Sequence, residues 1–374
     1  MVEYLGLLKK RIQFNYNKKN ISFDVHQSLF SSAHIDKGTF QLIDSLRKNE
    51  KIKYDSVLDI GCGYGPIGIS LKKIHPNSII NCVDRDALAL EFTKHNAILN
   101  KCEIESYASL EYEEVKKEFD LICCNYPAKA GIKTFKRILY GASEHLKKNG
   151  VLVIVIVKEL LEDFNSILKE EIKVIYKKQS AGHFVFHLKF NDKIIFEEEP
   201  HFRKDIKYSI GNQIYKLKTA YNLAEFETPS FTTQAIINLL ENLKKKSDIS
   251  IINPFQGHLP IAIFHYLEPK KINLISRDLL SLKYSKNNLN FNNINCVNNF
   301  HQILNNKLNG DILIWNLRDD IGMSQFKEEF EMIKNNFKNI IIGTRKSKLI
   351  KIINSLNIKY TKEEIHENGM AILI

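Results

Sequence analysis

Short apolar runs alternate along this chain with segments in which apolar residues recur every three or four positions. In the first half, four such runs predict buried strands, because a strand of a parallel sheet is covered on both faces. They are SVLDIG (56–61), SIINCVD (78–84), FDLICCN (119–125) and VLVIVIV (151–157). The segments between them have the spacing of amphipathic helices. This alternation predicts an α/β fold with a doubly wound, mostly parallel sheet.

The same pattern predicts the helices and the sheet edge of the first half. The helical segments are residues 38–48, 66–74, 87–100, 135–150 and from 158 to about 170. Gly150 is expected to end the fourth helix, since glycine is a common helix stop. Two strand-like segments, 172–178 and 182–190, then predict an antiparallel hairpin at the edge of the sheet.

The second half of the chain repeats the first. VLDIGCGYGPIGI (57–69) aligns with IINPFQGHLPIAI (251–263) at an offset of 194 residues, which pairs Gly63 with Gly257. Further matches join 81–90 with 273–282 and 119–127 with 310–318. Internal repetition of this extent predicts a tandem duplication of one Rossmann-like fold, a pseudo-dimer within one chain.

A charged stretch between the two repeats, residues 191–205, is the predicted domain boundary. It is interrupted by Pro200, which neither a helix nor a central strand accommodates easily. We therefore expect a first domain over residues 1–198 and a second over residues 199–374, each long enough for its own core.

Composition restricts the class of protein. Of the 374 residues, 44% are apolar, as in ordinary globular proteins. The six cysteines lack the paired spacing of metal ligands, so we expect free thiols in a reducing cytoplasm and no metal. The start of the chain lacks the apolar core of a signal peptide, and its longest apolar run is far shorter than the ~20 residues of a membrane helix. We expect a soluble cytoplasmic protein.

The net charge of +11 is unevenly distributed. Residues 1–200 carry 30 basic and 27 acidic residues, whereas residues 201–374 carry 24 and 16. A basic surplus favours a polyanionic partner such as RNA, because neutralising phosphates gives affinity that does not depend on sequence. The alternative is that the lysines only solvate helix faces. The charge alone leaves both interpretations open.

A glycine-rich loop follows the first predicted strand. DIGCGYG (59–65) places Gly61, Gly63 and Gly65 at alternate positions before a helix, where the backbone can approach a ligand closely. Asp84 ends the next strand, where a carboxylate can accept hydrogen bonds from both hydroxyls of a ribose. Together they predict a site for a nucleoside-containing cofactor. A purely structural tight turn is the alternative.

A second candidate motif, NYPAKAG (125–131), follows the strand FDLICCN. It places Asn125 and Pro127 at the carboxyl end of a central strand, where open parallel sheets bind ligands. The Asn125 side-chain carbonyl can accept a hydrogen bond from an amine and align its nitrogen, which is catalysis by positioning. The alternative is an ordinary turn at the end of the strand, since asparagine and proline both favour turns.

The motifs taken together resemble a known family of enzymes. LFSSAHIDKGT (29–39), VLDIGCGYGPIGI, VDRDALAL (83–90) and CNYPAKAG (124–131) look like the "methyltransferase small" group of class I S-adenosylmethionine-dependent methyltransferases. Its best-known members are the ribosomal RNA guanine-N2 methyltransferases, of the small-subunit type C and their large-subunit relatives. The resemblance covers about residues 22–190.

The resemblance implies S-adenosyl-L-methionine as the cofactor and ribosomal RNA or a ribosomal subunit as the partner. It assigns the cofactor to Asp59, Gly61, Gly63, Gly65, Asp84, Ser109 and Asn125. It assigns presentation of an exocyclic base amine to Asn125, Tyr126 and Pro127, which occupy the asparagine-proline-proline motif of the family.

Three positions depart from the family pattern. Tyr126 replaces the usual proline, and Ala128 stands where an aromatic residue often stacks on the substrate. Ser109 stands where an acidic residue often contacts the adenine amine. Tyr126 either supplies the missing stacking or fills the end of the strand, and the sequence leaves both possibilities open.

The second copy has lost most of these residues. At the offset of 194, Asp59, Gly61 and Gly65 correspond to Asn253, Phe255 and Leu259. In the match of 81–90 with 273–282, Asp84 corresponds to Ser276. We therefore expect the second domain to bind no cofactor and to serve RNA docking or structural support. Small-subunit enzymes of the family place the inactive copy first, so this chain reverses their order.

Two other functions compete with methylation of an RNA amine. Methylation of a protein glutamine at N5 uses a related asparagine-proline-proline site, but those enzymes carry an aromatic residue at the position of Ala128. The other is a cofactor-binding protein associated with RNA that has lost turnover. The oligomeric state is left open by the sequence.

Overall fold

The computed structural model describes residues 10–48, 54–197, 199, 201–241, 243–245 and 247–374. The chain divides between His201 and Phe202 into two compact units. Pro200, the residue that marked the expected boundary, lies outside the described residues. The division of roles between domains 1–198 and 199–374 stays a prediction.

The first unit contains an antiparallel hairpin and a seven-stranded sheet. The hairpin joins β1 (Lys10–Tyr16) to β2 (Lys19–Val25). The other strands are β3 (Ser56–Ile60), β4 (Ile79–Asp84), β5 (Glu105–Ala108), β6 (Phe119–Asn125), β7 (Leu146–Val157), β8 (Ile172–Ser180) and β9 (His183–Phe190). The helices are α1 (Lys37–Lys48), α2 (Pro66–Ile74), α3 (Ala87–Leu99), α4 (Gly131–His145) and α5 (Leu161–Ser166). The sheet order is β5-β4-β3-β6-β7-β9-β8.

The predicted architecture of this unit is confirmed. Strands β5, β4, β3, β6 and β7 are parallel, and β9 and β8 form the expected antiparallel edge. The central strands are buried on both faces, as in β6, where Ile122 and Cys123 are both fully buried. On one face of the sheet Leu58, Ile122 and Ile154 share a core with Leu139 of α4. Burial on both faces explains why the central strands read as unbroken apolar runs.

The expected stop of α4 at Gly150 is wrong. The helix ends at His145, and Leu146 already pairs with Phe119 of β6 as part of β7. A side chain at Gly150 would lie 2.9 Å from the backbone carbonyl oxygen of Phe119. The glycine is therefore required by the close approach of two strands. The expected helix after residue 157 is also shorter, since α5 ends at Ser166.

The second unit contains the same elements in the same order. Its strands are β10 (Phe202–Ile210), β11 (Gln213–Ala220), β12 (Asp248–Ile252), β13 (Lys271–Ser276), β14 (Val297–His301), β15 (Gly310–Asn316), β16 (Phe337–Arg345), β17 (Lys362–His366) and β18 (Gly369–Leu373). Its helices are α6 (Phe231–Leu240), α7 (His258–Leu267), α8 (Leu279–Phe291), α9 (Met323–Ile333) and α10 (Lys346–Leu356). The sheet order β14-β13-β12-β15-β16-β18-β17 repeats that of the first unit strand for strand. The predicted tandem duplication is confirmed.

The alignment of the two glycine loops requires a correction. Gly61 donates its amide hydrogen to Val83 at the end of β4, and Asn253 makes the same bond to Ile275 at the end of β13. The two copies therefore correspond at an offset of 192 in this region, because the second copy is two residues shorter between the start of α6 and β12. Gly257 consequently matches Gly65, and the pairing of Gly63 with Gly257 is wrong.

With this register, the counterparts of the loop residues also change. Asn253 and Phe255 take the places of Gly61 and Gly63, and Ile251 takes the place of Asp59. Ser276 remains the counterpart of Asp84, since both end the second parallel strand of their sheet.

Candidate cofactor and amine site

The glycine loop connects β3 to α2 in a conformation that favours glycine. Gly61 and Gly63 have φ angles of 68° and 58°, and Gly65 has a φ of 90° where it caps the helix that begins at Pro66. Among the described residues, no heavy atom lies within 4 Å of where a Cβ would stand at Gly61 or Gly63. The left-handed backbone, rather than crowding, therefore favours glycine at these two positions. The space above them is open to a ligand.

Asp84 ties this loop to the end of β4. Its Oδ2 accepts a hydrogen bond from the Gly63 amide at 2.9 Å, and its Oδ1 accepts one from the Asp86 amide at 2.9 Å. Burial raises the pKa of this carboxyl to about 6. A carboxylate has about four lone-pair sites, so each oxygen can accept a further hydrogen bond. Asp84 thus lies beside the open loop, and each of its carboxylate oxygens can accept one more hydrogen bond.

Asp59 lies beneath the loop, inside the sheet. It is fully buried, and its Oδ2 accepts a hydrogen bond from the Gly68 amide in the first turn of α2 at 2.9 Å. Its Oδ1 has no partner among the residues that the structure describes. Burial raises the pKa of this carboxyl to about 7. The side chain positions the helix that follows the loop, and its direct contact with a cofactor stays a prediction.

Asn125 ends β6 and is held in one orientation by the first turn of α1. Its Nδ2 donates to Asp36 Oδ2 at 2.9 Å and to Thr39 Oγ1 at 3.0 Å. Asp36 also accepts the Thr39 amide at 3.1 Å, which caps the helix. Because both amide hydrogens of Asn125 are engaged, its Oδ1 is left as an acceptor.

Gly38 makes this arrangement possible. A Cβ at this position would lie 2.9 Å from Asp36 Oδ2 and 3.3 Å from Asn125 Oδ1. The sequence alone indicates no role for Asp36 and Thr39 in the site. An aspartate three residues before a threonine at the start of a helix is an ordinary capping pattern, and nothing in the sequence shows that the two residues reach Asn125.

Tyr126 fills the end of β6. Its ring is 3% exposed and stacks on Phe135 at a centroid distance of 4.2 Å, and its hydroxyl donates to the Gly131 carbonyl at 2.7 Å. In this conformation neither face of the ring is presented to a ligand. Pro127 is exposed, and its carbonyl accepts the Ala130 amide at 2.9 Å. The geometry thus favours the strand-filling interpretation of Tyr126 over stacking on a substrate.

Ser109 follows β5 and approaches Asp84 through its backbone. Its amide donates to the Asp84 carbonyl at 3.2 Å. Its hydroxyl is engaged within its own loop, where it donates to the Glu111 carbonyl and accepts the Glu114 amide. Contact between Ser109 and an adenine stays a prediction.

These groups meet at one edge of the sheet. The glycine loop, Asp84, Ser109 and Asn125 follow β3, β4, β5 and β6, which are adjacent and parallel in the first unit. The carboxyl ends of such strands form the edge at which open α/β sheets bind ligands. The arrangement can therefore hold a nucleoside between the loop and Asp84, with the Asn125 oxygen at the end of the neighbouring strand.

The second copy keeps the loop conformation of this site but has no carboxylate in the place of Asp84. Asn253 and Phe255 adopt left-handed conformations with φ of 60° and 49°, where the first copy has glycines. In the place of Asp84, the Ser276 hydroxyl accepts the Asp278 amide at 3.0 Å. Asn316 still donates to Thr233 at 2.8 Å, as Asn125 does to Thr39. The second copy thus retains the threonine that holds the amide, has Ser230 in the place of Asp36, and lacks the ribose carboxylate.

The described residues contain neither a metal-binding cluster nor a membrane-spanning helix. Within the ranges that the structure describes, no three His, Cys, Asp or Glu side chains are grouped so that they could hold a metal ion. No helix in these ranges is long and apolar enough to span a membrane. All six cysteines are free thiols.

Comparison with known proteins identifies the first unit. Residues 20–187 match the family model described as the methyltransferase small domain. An uncharacterized protein of Bacillus subtilis (strain 168), YbxB, is 33% identical over 192 residues, which are 48% of this chain and 92% of YbxB. Ribosomal RNA small subunit methyltransferase C of Haemophilus influenzae (strain PittGG) is 37% identical over 141 residues, 37% of this chain and 42% of that protein. The chain thus spans less than half the length of this methyltransferase C.

A solved structure matches the chain along the length of both units. The Thermus thermophilus 16S rRNA N2 G1207 methyltransferase (RsmC), in complex with AdoMet and guanosine, matches with a TM-score of 0.73 over 98% of each chain at 12% identity. At this identity the likeness concerns the fold, including its duplication. The family itself follows from the match of residues 20–187 and from the near-complete coverage of YbxB. The chain belongs to the methyltransferase small-domain family.

Proposed function

We propose that the protein is an S-adenosylmethionine-dependent N-methyltransferase that acts on an exocyclic base amine of RNA, with guanine-N2 of ribosomal RNA as its target. The observation that carries the proposal is the Asn125 amide, whose nitrogen is engaged by Asp36 and Thr39 and whose oxygen is left to accept an amine hydrogen. This acceptor stands at the sheet edge that also carries the glycine loop and Asp84.

The residues of the first unit fit the cofactor. A nucleoside can lie over Gly61 and Gly63, where the position of a Cβ meets open space among the described residues. Asp84 would accept hydrogen bonds from the ribose hydroxyls while keeping its bonds to the Gly63 and Asp86 amides. The N-terminus of α2 follows the loop and favours negative charge such as a carboxylate. When bound, S-adenosylmethionine supplies an electrophilic methyl group on a sulfonium.

The protein's contribution to the transfer is positioning. The Asn125 Oδ1 accepts one hydrogen of the substrate amine and thereby directs the nitrogen lone pair away from the conjugated ring. Asp36 and Thr39 prevent the Asn125 amide from turning its Nδ2 toward the substrate. In that orientation two hydrogen-bond donors, the amide nitrogen and the substrate amine, would face each other. Holding two reactants in the attacking geometry is by itself a large rate effect. As the nitrogen–carbon bond forms, the carbon–sulfur bond would break, and the methylated nitrogen would be acidic enough to release its extra proton to water, so no strong base is required.

Relatives and charge favour RNA over a protein substrate. The Haemophilus influenzae relative is named for methylation of the small-subunit ribosomal RNA, and the Thermus thermophilus structure contains AdoMet and guanosine. The chain carries a net charge of +11, of which +8 lies in residues 201–374. We assign the second unit to RNA docking or to support of the first. The proposed substrate places the activity in the cytoplasm.

Transfer of label to RNA tests the proposal. Full-length protein is incubated with methyl-tritiated S-adenosylmethionine and ribosomal RNA or subunits from a strain that lacks the gene. We expect label in RNA with the wild type, and a loss of roughly 100-fold in kcat with Asn125→Ala, whose cofactor affinity by calorimetry should change little. Asn316→Ala, the same change in the second copy, should retain turnover.

Three outcomes would contradict the proposal. Label in a protein acceptor would favour the glutamine methyltransferase. Tight cofactor binding without transfer to any RNA would favour a binding protein. Undiminished turnover of Asn125→Ala would contradict the role of this residue.

A further inference from the structure

A cavity of about 530 Å³ opens in the first unit beside the first turns of α1. Lys37, Phe40, Gln41 and Asp44 line it, and their i, i+3, i+4 and i+7 spacing places them on one face of the helix. Gly38 and Thr39, which approach Asn125, belong to a different face. The cavity therefore lies next to the amine site, separated from it by the thickness of one helix, and has a size typical of ligand sites.

One wall of the cavity is an exposed aromatic ring. Phe40 is 44% exposed, although it is a large apolar side chain near the start of a helix. Its ring meets Phe14 and Tyr16 edge to face, at centroid distances of 6.3 and 6.2 Å. These two contacts fix the orientation of the ring and leave part of it open. A fixed, half-exposed aromatic ring is a platform on which an unpaired base can stack.

A buried amide forms part of the wall of the cavity. Gln41 is 5% exposed, and its Nε2 donates to the Ser180 carbonyl at 2.8 Å. Its Oε1 is buried and has no hydrogen-bond partner among the described residues. The protein encloses Oε1 on the side of the cavity as well, so this amide fixes the wall behind the aromatic ring and leaves ligand contacts to the ring and the rim.

The rim of the cavity is positively charged. Lys37 is exposed and makes no ion pair among the residues that the structure describes. Lys178 Nζ lies 3.6 Å from Oδ2 of Asp44, the acidic residue that lines the cavity. Asp44 is also paired with Arg47 and Lys48, at 2.9 and 2.7 Å, so its charge is more than balanced. The rim therefore attracts an anion such as a phosphate.

We propose that this cavity binds an unpaired nucleotide of the RNA that flanks the target nucleotide. Its base stacks on Phe40, while Lys37 and Lys178 attract the adjoining phosphates. The inference rests on the proposed function and adds to it a specificity pocket on the far side of the helix that orients Asn125.

Binding of a defined RNA to the full chain tests the pocket. The probe is a fluorescein-labelled RNA 12-mer of mixed sequence, followed by fluorescence anisotropy. Phe40→Leu keeps the apolar volume and removes the aromatic face, and we expect it to weaken binding by roughly 5- to 100-fold. Phe40→Tyr should retain the affinity. Ile98→Ala, which trims an exposed apolar side chain of the same unit outside the cavity, should bind like the wild type.

A crosslinking experiment locates the contact independently of affinity. With 4-thiouridine in the same RNA, irradiation should link it to the peptide that contains Phe40 in the wild type and not in Phe40→Leu. RNA binding that is unchanged in Phe40→Leu, with crosslinks elsewhere, would overturn the pocket and leave the methyltransferase proposal standing. No binding of RNA by the wild type would overturn the pocket, and absence of methyl transfer would separately overturn the enzyme.

Discussion

At the scale of single residues, the site depends on which atoms of a side chain are already engaged. Asn125 has both amide hydrogens bonded within the first unit, and this fixes the direction of its oxygen. Asp84 has bonds on both carboxylate oxygens and retains capacity for more. Their sequence positions could be predicted, because each ends a recognisable strand. The residues that hold Asn125 could not, because they lie 86 and 89 positions away along the chain.

Asp84 predicts a pH dependence of cofactor binding. Its carboxyl has a pKa raised to about 6 by burial, and only the ionised form accepts both ribose hydroxyls. Affinity for S-adenosylmethionine should therefore fall as the pH decreases through about 6 and level off above it. Asp84→Ala should weaken binding by about 1–3 kcal/mol at pH 8, since charge-assisted hydrogen bonds are lost.

Calorimetry between pH 5 and pH 8 measures this effect. Asp84→Asn, which cannot ionise, should bind more weakly and show a flatter profile than the wild type. A wild-type affinity that does not change across pH 6, or a variant with the wild-type slope, would remove Asp84 from the cofactor site.

At the scale of elements, the strands were predictable where both faces are buried. β3, β4, β6 and β7 appear in the sequence as apolar runs because the sheet is covered on both sides. The short strand β5 has no fully buried residue, so its sequence lacks the apolar run that would predict it. The alignment of the two glycine loops was wrong for a different reason. A gap-free match of similar residues at an offset of 194 concealed a two-residue shortening of the second copy, which the equivalent hydrogen bonds of Gly61 and Asn253 reveal.

Thr39, in the first turn of α1, is expected to affect turnover without affecting cofactor binding. Thr39→Val removes the oxygen that accepts from Asn125 Nδ2 and leaves the amide held by Asp36 alone. We expect kcat to fall by roughly 10-fold, with cofactor affinity unchanged, because the amide is no longer fully oriented. Thr39→Ser, which restores the hydroxyl, should recover most of the rate.

Steady-state kinetics and thermal unfolding separate orientation from folding. A Thr39→Val protein with the wild-type rate would show that α1 does not position Asn125. An equal loss of rate in Thr39→Ser would assign the effect to packing.

At the scale of the whole molecule, the duplication gives the chain two copies of one fold, and we propose different roles for them. The second unit repeats every strand and helix of the first, yet has Phe255 and Ser276 in place of Gly63 and Asp84. The duplication could be predicted from the sequence because the motifs recur. The loss of the cofactor residues could be predicted because the second set of motifs lacks most of the glycines and the acidic residue. The pocket beside α1 could not, since its walls come from β1, α1 and β8, which no local pattern connects.

The division of roles predicts one cofactor per chain. Calorimetric titration of the full-length protein with S-adenosylmethionine should give a stoichiometry of one, because the second copy lacks the ribose carboxylate. Asp84→Ala should weaken this single site. A stoichiometry of two, or a site that persists unchanged in Asp84→Ala, would show that the second unit binds the cofactor.

The most direct test of the central claim is mass-spectrometric mapping of ribosomal RNA modifications. RNA is compared from a strain that lacks the gene, and from the same strain complemented with the wild type or with Asn125→Ala. We predict that one N2-methylguanosine is lost on deletion, restored by the wild type and not restored by Asn125→Ala. Identical modification maps in all three strains would contradict the assignment of this chain as a ribosomal RNA guanine-N2 methyltransferase.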